Sequence, residues 1–419
     1  MTEKNRIIFH IDVNSAFLSF EAVYRLQHGS KIDLRKIPSA VAGSQATRHG
    51  IILARSIPAK KYGVKTGEAA WEARQKCPDL IMIPPNYALY MCCHRALVEL
   101  LREFTDQVQV FSVDECFMDI TGIQGAEEPL VLADRIRERI KNELGFTVSI
   151  GVSTNKLLAK MGSELKKPDA VSTLYPWEIP EKMWPLPVKD LYMVGRATTP
   201  KLKKMGIDTI GKLANFDLNI LKQKLKSWGE LIWNYANGIE ESPVWASGCA
   251  PVKGIGNSTT VHFDVTDRRT AHQVLLSLAE TVGMRLRFGN WCCRVIAVSI
   301  KRADDLSSYS HQLKIQTPID STSAIYEYCE QLFDEAWKGE PIRHLGIRVS
   351  DLSPAGQIQL SMFEKDWEKE KKVDRAVDQI RMKFGPKAII RSSFLWSGLE
   401  PLEGGLSEDS DYPVMSNIL

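Results

Sequence analysis

Residues 111–119 have the sequence FSVDECFMD, which places two adjacent carboxylates, Asp114 and Glu115, inside a run that is otherwise typical of a buried β-strand. A carboxylate in an apolar setting is strongly disfavoured unless a bound cation or an arginine compensates its charge. Neighbouring side chains on a regular strand point to opposite faces, so we expect the pair to lie at a tight hairpin bend. The stretch therefore predicts a β-hairpin at about residues 108–120 that carries a site for cations.

A further carboxylate, Asp12, lies in a second strand-like run, RIIFHIDV at residues 6–13. If the two acid-bearing strands lie side by side, Asp12, Asp114 and Glu115 gather around one point. Carboxylate oxygens are the ligands that Mg²⁺ prefers, and three of them suit the two-metal chemistry of phosphoryl transfer.

The bulk composition is that of an ordinary folded protein with several domains. A chain of 419 residues is too long for a single core. Its hydrophobic fraction of 44% and charged fraction of 25% are usual for soluble proteins. None of its eight cysteines forms a C-x-x-C pair, which argues against a zinc site or a disulfide framework. The first strand begins almost at once, without a signal peptide or a membrane-spanning apolar run, so we expect a cytoplasmic protein with no membrane contact.

Positive charge is concentrated in the middle of the chain. The net charge of +3 does not by itself indicate a nucleic-acid partner. Between residues 156 and 226, however, 14 Lys and Arg stand against 7 Asp and Glu, and phosphate binding draws on such local fields. Residues 193–207 predict a helix, a Gly turn and a second helix, which can aim N–H groups and lysines at phosphates. A solvated lysine-rich surface explains the same charge, so the pattern alone leaves both interpretations open.

The periodicity elsewhere predicts an α+β arrangement, with helices covering a sheet. Helical patterns recur at about residues 87–104 and 126–144, followed by a strand at 147–152. A loop-like segment then leads to strands and helices in βαββαβ order, which predict a separate small domain. Its stretch 284–302 carries five basic residues and no acid, which predicts a cationic face, and a charged amphipathic helix of open function follows at about 365–384.

Four strings of the chain together resemble the Y-family translesion DNA polymerases, in particular the UmuC and DinB lineage of bacteria. In chain order they are HIDVNSAF at 10–17, AKKYGVKTG at 59–67, SVDE at 112–115 and VSIGVSTNKLLAK at 148–160, which leads to KKP at 166–168. Each string alone is a weak signal, but the four stand in the family's order. The resemblance extends over about residues 6–400.

The resemblance implies a right-hand polymerase of the α+β class, with a palm of mixed sheet plus helices, small fingers, a helical thumb and a βαββαβ little finger domain. The boundaries that we expect are palm 1–28 and 79–168, fingers 29–78, thumb with a helix-hairpin-helix-like element 169–240, linker 241–257, little finger 258–353 and tail 354–419. The implied reaction transfers a deoxynucleotide from a dNTP to the 3′-hydroxyl of primer–template DNA, in DNA damage tolerance and repair. The resemblance also implies a monomer.

On the matching positions, the resemblance assigns catalytic and metal-binding roles to the acids. Asp12 and Asp114 would bridge two Mg²⁺ ions per active site, and the Val13 carbonyl would help to hold the triphosphate-bound ion. Glu115 would bind the ion that activates the primer hydroxyl.

The nucleotide-binding positions agree with the family only in part. Phe17 falls where the family has its steric gate, an aromatic ring that excludes a ribose 2′-hydroxyl, although its spacing alone indicates a core-facing helix residue. Lys167 falls where the family has a lysine that reaches the incoming phosphates. Ile57 and Lys60 stand where many relatives have Tyr and Arg, and Lys60 cannot reproduce the bidentate grip of Arg. Arg55 is then a second candidate for binding the triphosphate.

Two further sets of residues are implied to bind macromolecules. In the thumb hairpin, the DNA-binding residues would be Gly195, Arg196 and Lys203. In the tail, QLSMF resembles the short peptide by which bacterial polymerases bind the sliding clamp (β clamp), with apolar anchors suited to a groove. The clamp-binding residues would be Gln359, Leu360, Met362 and Phe363. A short edge strand is the alternative interpretation of that string.

Three classes of function fit the pattern to different degrees. The first is an active translesion polymerase. The second is a catalytically weak or inactive Y-family accessory protein that acts as a DNA and clamp adaptor, which would have no need of the palm acids. The third is another palm-fold enzyme such as a nucleotide cyclase, which would have no evident use for the thumb hairpin, the little finger or the clamp-like peptide. The first class is favoured.

Overall fold

The structure is a computed structural model that describes residues 6–44, 50–123, 128–245, 252–356, 368–395, 398–399 and 402. These residues form two compact units, the first from 6–43 and 51–245 and the second from the range 252–402. Each unit has a hydrophobic core of its own.

The first unit begins with a strand and alternates between strands and helices before becoming wholly helical. In chain order its elements are β1 (Ile8–Val13), α1 (Ala16–Gln27), β2 (Ser39–Ala42), β3 (Ile52–Arg55), α2 (Ile57–Lys61), α3 (Ala70–Lys76), β4 (Ile81–Ile83), α4 (Tyr87–Arg102), β5 (Val108–Val110), β6 (Glu115–Asp119), α5 (Pro129–Arg139), β7 (Val148–Ser153), α6 (Lys156–Leu165), β8 (Ala170–Thr173), α7 (Thr199–Lys204), α8 (Ile210–Ala214), α9 (Leu218–Leu225) and α10 (Ser227–Ala236).

The predicted acid-bearing strands lie at the centre of a five-stranded sheet in the order β5-β6-β1-β7-β8. β1 is antiparallel to both β6 and β7, whereas β7 and β8 are parallel. All six residues of β1 are buried, because helices cover both faces of the sheet. Phe9 and Ile11 pack into the core with α1, α4 and α5, and Ile8 packs on the other face beside Ala159 of α6.

The predicted hairpin is confirmed. β5 and β6 pair in antiparallel fashion, residues 111–114 connect them, and Glu115 is the first residue of β6. β8 is an element that the sequence pattern did not indicate. It has only four residues and follows Lys167–Pro168, so its pattern is too short to distinguish it from a loop.

A smaller sheet, in the order β3-β2-β4, is formed by the residues between α1 and α4. β2 is antiparallel to β3 and parallel to β4. The helices α2 and α3 pack on it through small side chains such as Ala59 and Ala73. Ser56 begins α2 because its side chain accepts the Ala59 amide.

Helices α7 to α10 pack around a separate apolar cluster that includes Leu202, Ile210 and Leu221. The helix predicted before Gly195 is wrong. The structure has only a 3₁₀ turn at Val188–Asp190, and Met193 adopts a left-handed backbone with φ 72°, which stops helical hydrogen bonding ahead of Gly195. The second predicted helix is present as α7.

The second unit has the predicted βαββαβ order. Its elements are β9 (Gly254–Val265), α11 (Arg268–Phe288), β10 (Trp291–Arg302), β11 (Ser308–Ile319), α12 (Thr322–Ala336), β12 (Ile342–Pro354) and the additional helix α13 (Glu368–Phe384). The four strands form one antiparallel sheet in the order β11-β10-β12-β9, and α11 and α12 contribute to its core. β9 thus starts at Gly254, inside the segment predicted as a linker. No described helix of either unit is both long and apolar enough to cross a membrane.

The predicted cationic face of this unit is partly neutralised. The Arg287 side chain is 7% exposed and donates to Asp378 of α13 through Nε at 2.6 Å, and its Nη1 lies 3.4 Å from Asp374. Arg302 pairs with Asp304 at 2.5 Å. The acids that neutralise these arginines lie outside the basic stretch, so its composition alone overstates the charge of the face.

Candidate active site

The strand register brings the acids of the two strands together. Asp12 lies directly opposite Glu115 in the antiparallel ladder of β1 and β6. Asp114 precedes Glu115 at the bend, and its carbonyl accepts the Val13 amide at 3.0 Å. These four residues therefore lie at one end of the central strand pair.

Hydrogen bonds within the bend fix the two adjacent acids. The amides of Phe111 and Ser112 both donate to the Glu115 carbonyl, at 3.0 and 3.1 Å. The Ser112 hydroxyl donates to Asp114 Oδ1 at 2.5 Å and accepts the Glu115 amide at 3.1 Å. The serine thus orients the Asp114 carboxylate and holds the Glu115 backbone at the start of β6.

Two lysines from the α6 region contact the acids. Lys160 Nζ donates to Glu115 Oε2 at 2.6 Å and lies over the rings of Phe111 and Tyr192. Lys167 Nζ donates to Asp12 Oδ2 at 2.9 Å and also to Glu164. The sequence singled out Lys167 for nucleotide phosphates, but nothing in the motif indicated that either lysine pairs with an acid.

His10 and Ser163 are polar residues of the site that the sequence reasoning missed. His10 Nδ1 lies 2.8 Å from Ser163 Oγ, and His10 Nε2 lies 3.8 Å from Glu115 Oε2. A signal was present, because a residue two positions before Asp12 on a strand shares its face. His10 is thus a second polar residue on the Asp12 face of β1, where Ile8 is apolar.

Burial dominates the electrostatics of the acids. It raises the pKa of Asp12 well above its ordinary value, against the opposing charge of Lys167. Burial and the charge of Glu115 also raise the pKa of Asp114, despite the Ser112 hydrogen bond. Burial alone would raise the pKa of Glu115, but contacts with His10 and Lys160 hold it below its ordinary value. A cation bound near Asp12 and Asp114 would lower the raised pKa values of both carboxyl groups.

Burial has the opposite effect on the imidazole, because it disfavours the cationic form. It lowers the pKa of His10 to about 4, so that the ring is neutral at pH 7 and carries a single proton.

The donor set fits Mg²⁺ in its chemistry. Carboxylates of Asp12, Asp114 and Glu115 and the carbonyl of Val13 are hard oxygen donors. Burial makes the negative charges of Asp12 and Asp114 costly without a cation. Within the described ranges, no group of three or more His, Cys, Asp or Glu side chains is arranged to hold a metal ion. Lys167 contacts Asp12, and Lys160 contacts Glu115.

The candidate nucleotide-binding residues Phe17, Lys60 and Arg55 lie on α1, α2 and β3. Phe17 is half-buried and stacks on Tyr90, with ring centroids 4.4 Å apart and planes inclined by 8°. Lys60 is exposed on α2. Arg55 ends β3, and its Nη1 donates to Thr66 Oγ1 at 2.6 Å. The structure therefore leaves Lys60 as an exposed point charge and gives Arg55 a local partner.

The residues predicted to bind DNA lie on the surface of the first unit. Gly195 and Arg196 are exposed in the turn before α7, where the Gly195 carbonyl accepts the amides of Thr198 and Thr199. Lys203 is exposed on α7 itself. The predicted clamp-binding residues lie outside the described residues. They are Gln359, Leu360, Met362 and Phe363.

Three family models match the chain. The impB/mucB/samB family model matches residues 11–164, which include all the acids of the site. The family's HHH motif model matches residues 176–207, and the model of its C-terminal domain matches residues 252–362.

Full-length curated proteins are similar to the chain. DNA polymerase IV of Clostridium acetobutylicum is 47% identical over 392 residues, which cover 93% of this chain and 98% of that protein. DNA polymerase IV of Acetivibrio thermocellus is 39% identical, covering 93% and 98%. DNA polymerase IV 1 of Bacillus subtilis is 37% identical, covering 94% of each chain.

A solved structure shares the fold. It is a Y-family DNA polymerase chimera, Dbh-Dpo4(243-245)-Dbh, with a TM-score of 0.68 and 23% sequence identity. The match covers 82% of this chain and 98% of that one. It agrees with the α+β right-hand architecture expected from the sequence.

Proposed function

Because the chain belongs to the impB/mucB/samB family of Y-family DNA polymerases, we propose that it copies damaged templates by two-metal nucleotidyl transfer. It is a DNA-directed DNA polymerase, as its curated relatives are. It adds deoxynucleotides to a primer 3′-hydroxyl and acts in DNA damage tolerance and repair. The observation that carries the proposal is the pairing of Asp12 with Glu115, beside Asp114, at the end of β1 and β6.

In this proposal the palm acids hold two Mg²⁺ ions. Asp12 and Asp114 would contribute to both sites, the Val13 carbonyl would contribute to one of them and Glu115 to the other. When bound, Mg²⁺ neutralises the triphosphate and lowers the pKa of the primer hydroxyl. Ser112 keeps the Asp114 carboxylate oriented through its 2.5 Å hydrogen bond. Lys160 and Lys167, which contact Glu115 and Asp12, keep positive charge beside the acids.

The nucleotide lies between the palm and the small sheet in this proposal. Phe17 excludes a ribose 2′-hydroxyl, and its stack on Tyr90 gives the ring a fixed support. Lys167 contacts the triphosphate by exchanging its bond to Asp12 for one to phosphate. Lys60 and Arg55 supply the remaining positive charge in place of the Tyr and Arg of many relatives.

Partners follow from the same assignment. Gly195 and Arg196 in the exposed turn before α7, and Lys203 on α7 itself, contact the DNA backbone. The peptide at residues 359–363 binds a sliding clamp. The protein works as a monomer in the cytoplasm, with primer–template DNA and dNTPs as substrates.

The adaptor alternative is disfavoured by the acids themselves. Asp12 is 8% exposed, and burying it costs stability that an inactive adaptor would have no reason to bear. The relatives named above are DNA polymerases, and none of them is a nucleotide cyclase.

Primer extension tests the proposal directly. Purified protein with Mg²⁺ and dNTPs should extend a primed template, including one with an abasic site. Glu115→Gln and Asp114→Asn, which keep the side-chain shape but remove the charge, should each lower extension by at least about 100-fold. Asp106→Asn is the matched control, because Asp106 is an exposed acid beside the same hairpin. Full extension by either active-site variant would contradict the site assignment.

A further inference from the structure

His10 lies beneath the acids, and it has no role in the proposed reaction. Its ring is fully buried and packs against Phe117 with centroids 4.7 Å apart. Ser163 Oγ lies 2.8 Å from Nδ1, so the ring is held on one edge and one face. The other edge presents Nε2, which faces Glu115 Oε2 at 3.8 Å and has no hydrogen-bond partner among the residues that the structure describes.

A close approach of α6 to the sheet creates this arrangement. Gly151 of β7 lies directly opposite His10 in the sheet. A Cβ at residue 151 would lie 1.9 Å from the Ala159 carbonyl oxygen and 2.5 Å from the Ser163 amide. Only glycine therefore allows α6 to lie where Ser163 reaches His10 and Lys160 reaches Glu115.

The hydroxyl of Ser163 decides which nitrogen of the ring carries the proton. It can donate to the Lys160 carbonyl, which lies at 2.8 Å, or to His10 Nδ1 at the same distance. If it donates to Lys160, Nδ1 must carry the proton and a bare lone pair faces the Glu115 carboxylate. If it donates to Nδ1, the proton lies on Nε2 and faces Glu115.

The second arrangement satisfies more groups. The Lys160 carbonyl lies inside α6 and accepts a helical amide whether or not Ser163 also donates to it. The facing pair of Nε2 and a carboxylate oxygen, by contrast, is two acceptors unless the proton lies between them. Burial away from water makes that mismatch costly.

We propose that His10 is a positioning residue for Glu115: with Ser163 donating to Nδ1, it presents Nε2–H to the Glu115 carboxylate and fixes its orientation. A buried neighbour that orients a metal-binding carboxylate is a common arrangement in metal sites. The inference rests on the proposed function only in that Glu115 is taken as a metal ligand.

Binding of Mn²⁺, used in place of Mg²⁺, tests the inference without catalysis. Free Mn²⁺ is measured by electron paramagnetic resonance as the ion is added to the full chain. His10→Leu removes the donor and should weaken Mn²⁺ binding by about 10- to 100-fold. His10→Gln can place an amide N–H near the Nε2 position and should recover most of that loss. Ser163→Ala removes the hydroxyl that selects the tautomer of His10 and should give an intermediate Mn²⁺ affinity.

Ser153→Ala provides a matched control. Ser153 is also a fully buried serine, but its hydroxyl donates to the Leu174 carbonyl and does not contact His10. Its Mn²⁺ affinity should equal that of the unmodified chain. In primer extension, His10→Leu and Ser163→Ala should raise the half-saturating Mg²⁺ concentration more than they lower kcat.

The outcomes separate the two proposals. If the unmodified chain neither binds Mn²⁺ nor extends primers, the proposed function fails. If it does both and the folded His10→Leu variant binds Mn²⁺ equally well, the positioning role is wrong. If His10→Leu does not fold, the comparison of Ser163→Ala with Ser153→Ala decides, and equal affinities would refute the role.

Discussion

Replacement of Gly151 by alanine should disturb both the stability of the first unit and its active site. Gly151 lies in β7 under α6, and the helix carries Lys160, which contacts Glu115. The added Cβ would overlap backbone atoms, at 1.9 Å from Ala159 O and 2.5 Å from Ser163 N. Backbone atoms cannot move aside by a change of rotamer, so the whole helix must shift.

The size of the effect follows from these distances. Ordinary contact requires about 3.4 Å, so α6 must withdraw by roughly 1.5 Å. That shift lengthens the 2.6 Å bond between Lys160 and Glu115 beyond hydrogen-bonding distance. We expect a loss of about 3 kcal/mol from overpacking, or roughly 6–12 °C in the midpoint of thermal unfolding of a unit of this size. We also expect kcat to fall by about 100-fold, because Lys160 is displaced from Glu115 by more than 1 Å.

Calorimetry and single-nucleotide extension at 25 °C measure the two effects. Gly162→Ala is the matched control, since Gly162 lies on α6 against Gly151 and its added Cβ would meet nothing closer than 3.5 Å. It should change stability by less than about 1 kcal/mol, in the stabilising direction expected for alanine in a helix. If both variants unfold at the same temperature as the unmodified chain, the close approach does not position α6.

Three further predictions concern other parts of the chain. Phe17→Ala should raise ribonucleotide incorporation relative to deoxynucleotide by at least about tenfold, because the ring no longer meets the 2′-hydroxyl; unchanged sugar discrimination in single-nucleotide extension would refute the gate. Arg287→Leu should destabilise the second unit by about 3–5 kcal/mol in calorimetry, because Asp378 is left buried without its cation, and an unchanged midpoint would contradict this account. Alanine at Leu360 and Phe363 should abolish stimulation of extension by a sliding clamp and leave unstimulated extension intact, whereas equal stimulation would exclude the peptide.

The sequence predicted the central strands and their acids because burial on both faces leaves a clear signal. The apolar runs around Asp12 and Glu115 indicated strands, and the hairpin placed the acid pair at a bend, as the structure confirms. The lysines that contact those acids could not be predicted from the sequence. Lys160 and Lys167 reach them only because α6 lies unusually close to β7, and no local pattern reveals how closely two elements pack.

Local periodicity also failed where non-local contacts decide the outcome. The charged helix α13 has apolar residues at helical spacing, including Val373, Ile380 and Phe384, and amphipathic spacing normally indicates a buried apolar stripe. In the structure these three side chains are exposed, whereas Asp374 and Asp378 are buried. Burial of the acids depends on Arg287 of α11, which lies about 90 residues earlier in the chain.

The string NKLLAK at residues 155–160 can be explained position by position from these contacts. Asn155 begins α6 by accepting the Leu158 amide, and it holds the helix to the Gly238 carbonyl. Lys156 is fully buried beneath the sheet, where its Nζ donates to Gln109. The Ala159 carbonyl oxygen packs against Gly151, and this contact sets the distance between α6 and the sheet. Lys160 is then carried to Glu115. The string NKLLAK thus determines how α6 packs on the sheet, and this packing places the positive charge of Lys160 beside Glu115. Residues 155–160 therefore affect the environment of Glu115 although they are distant from it in sequence.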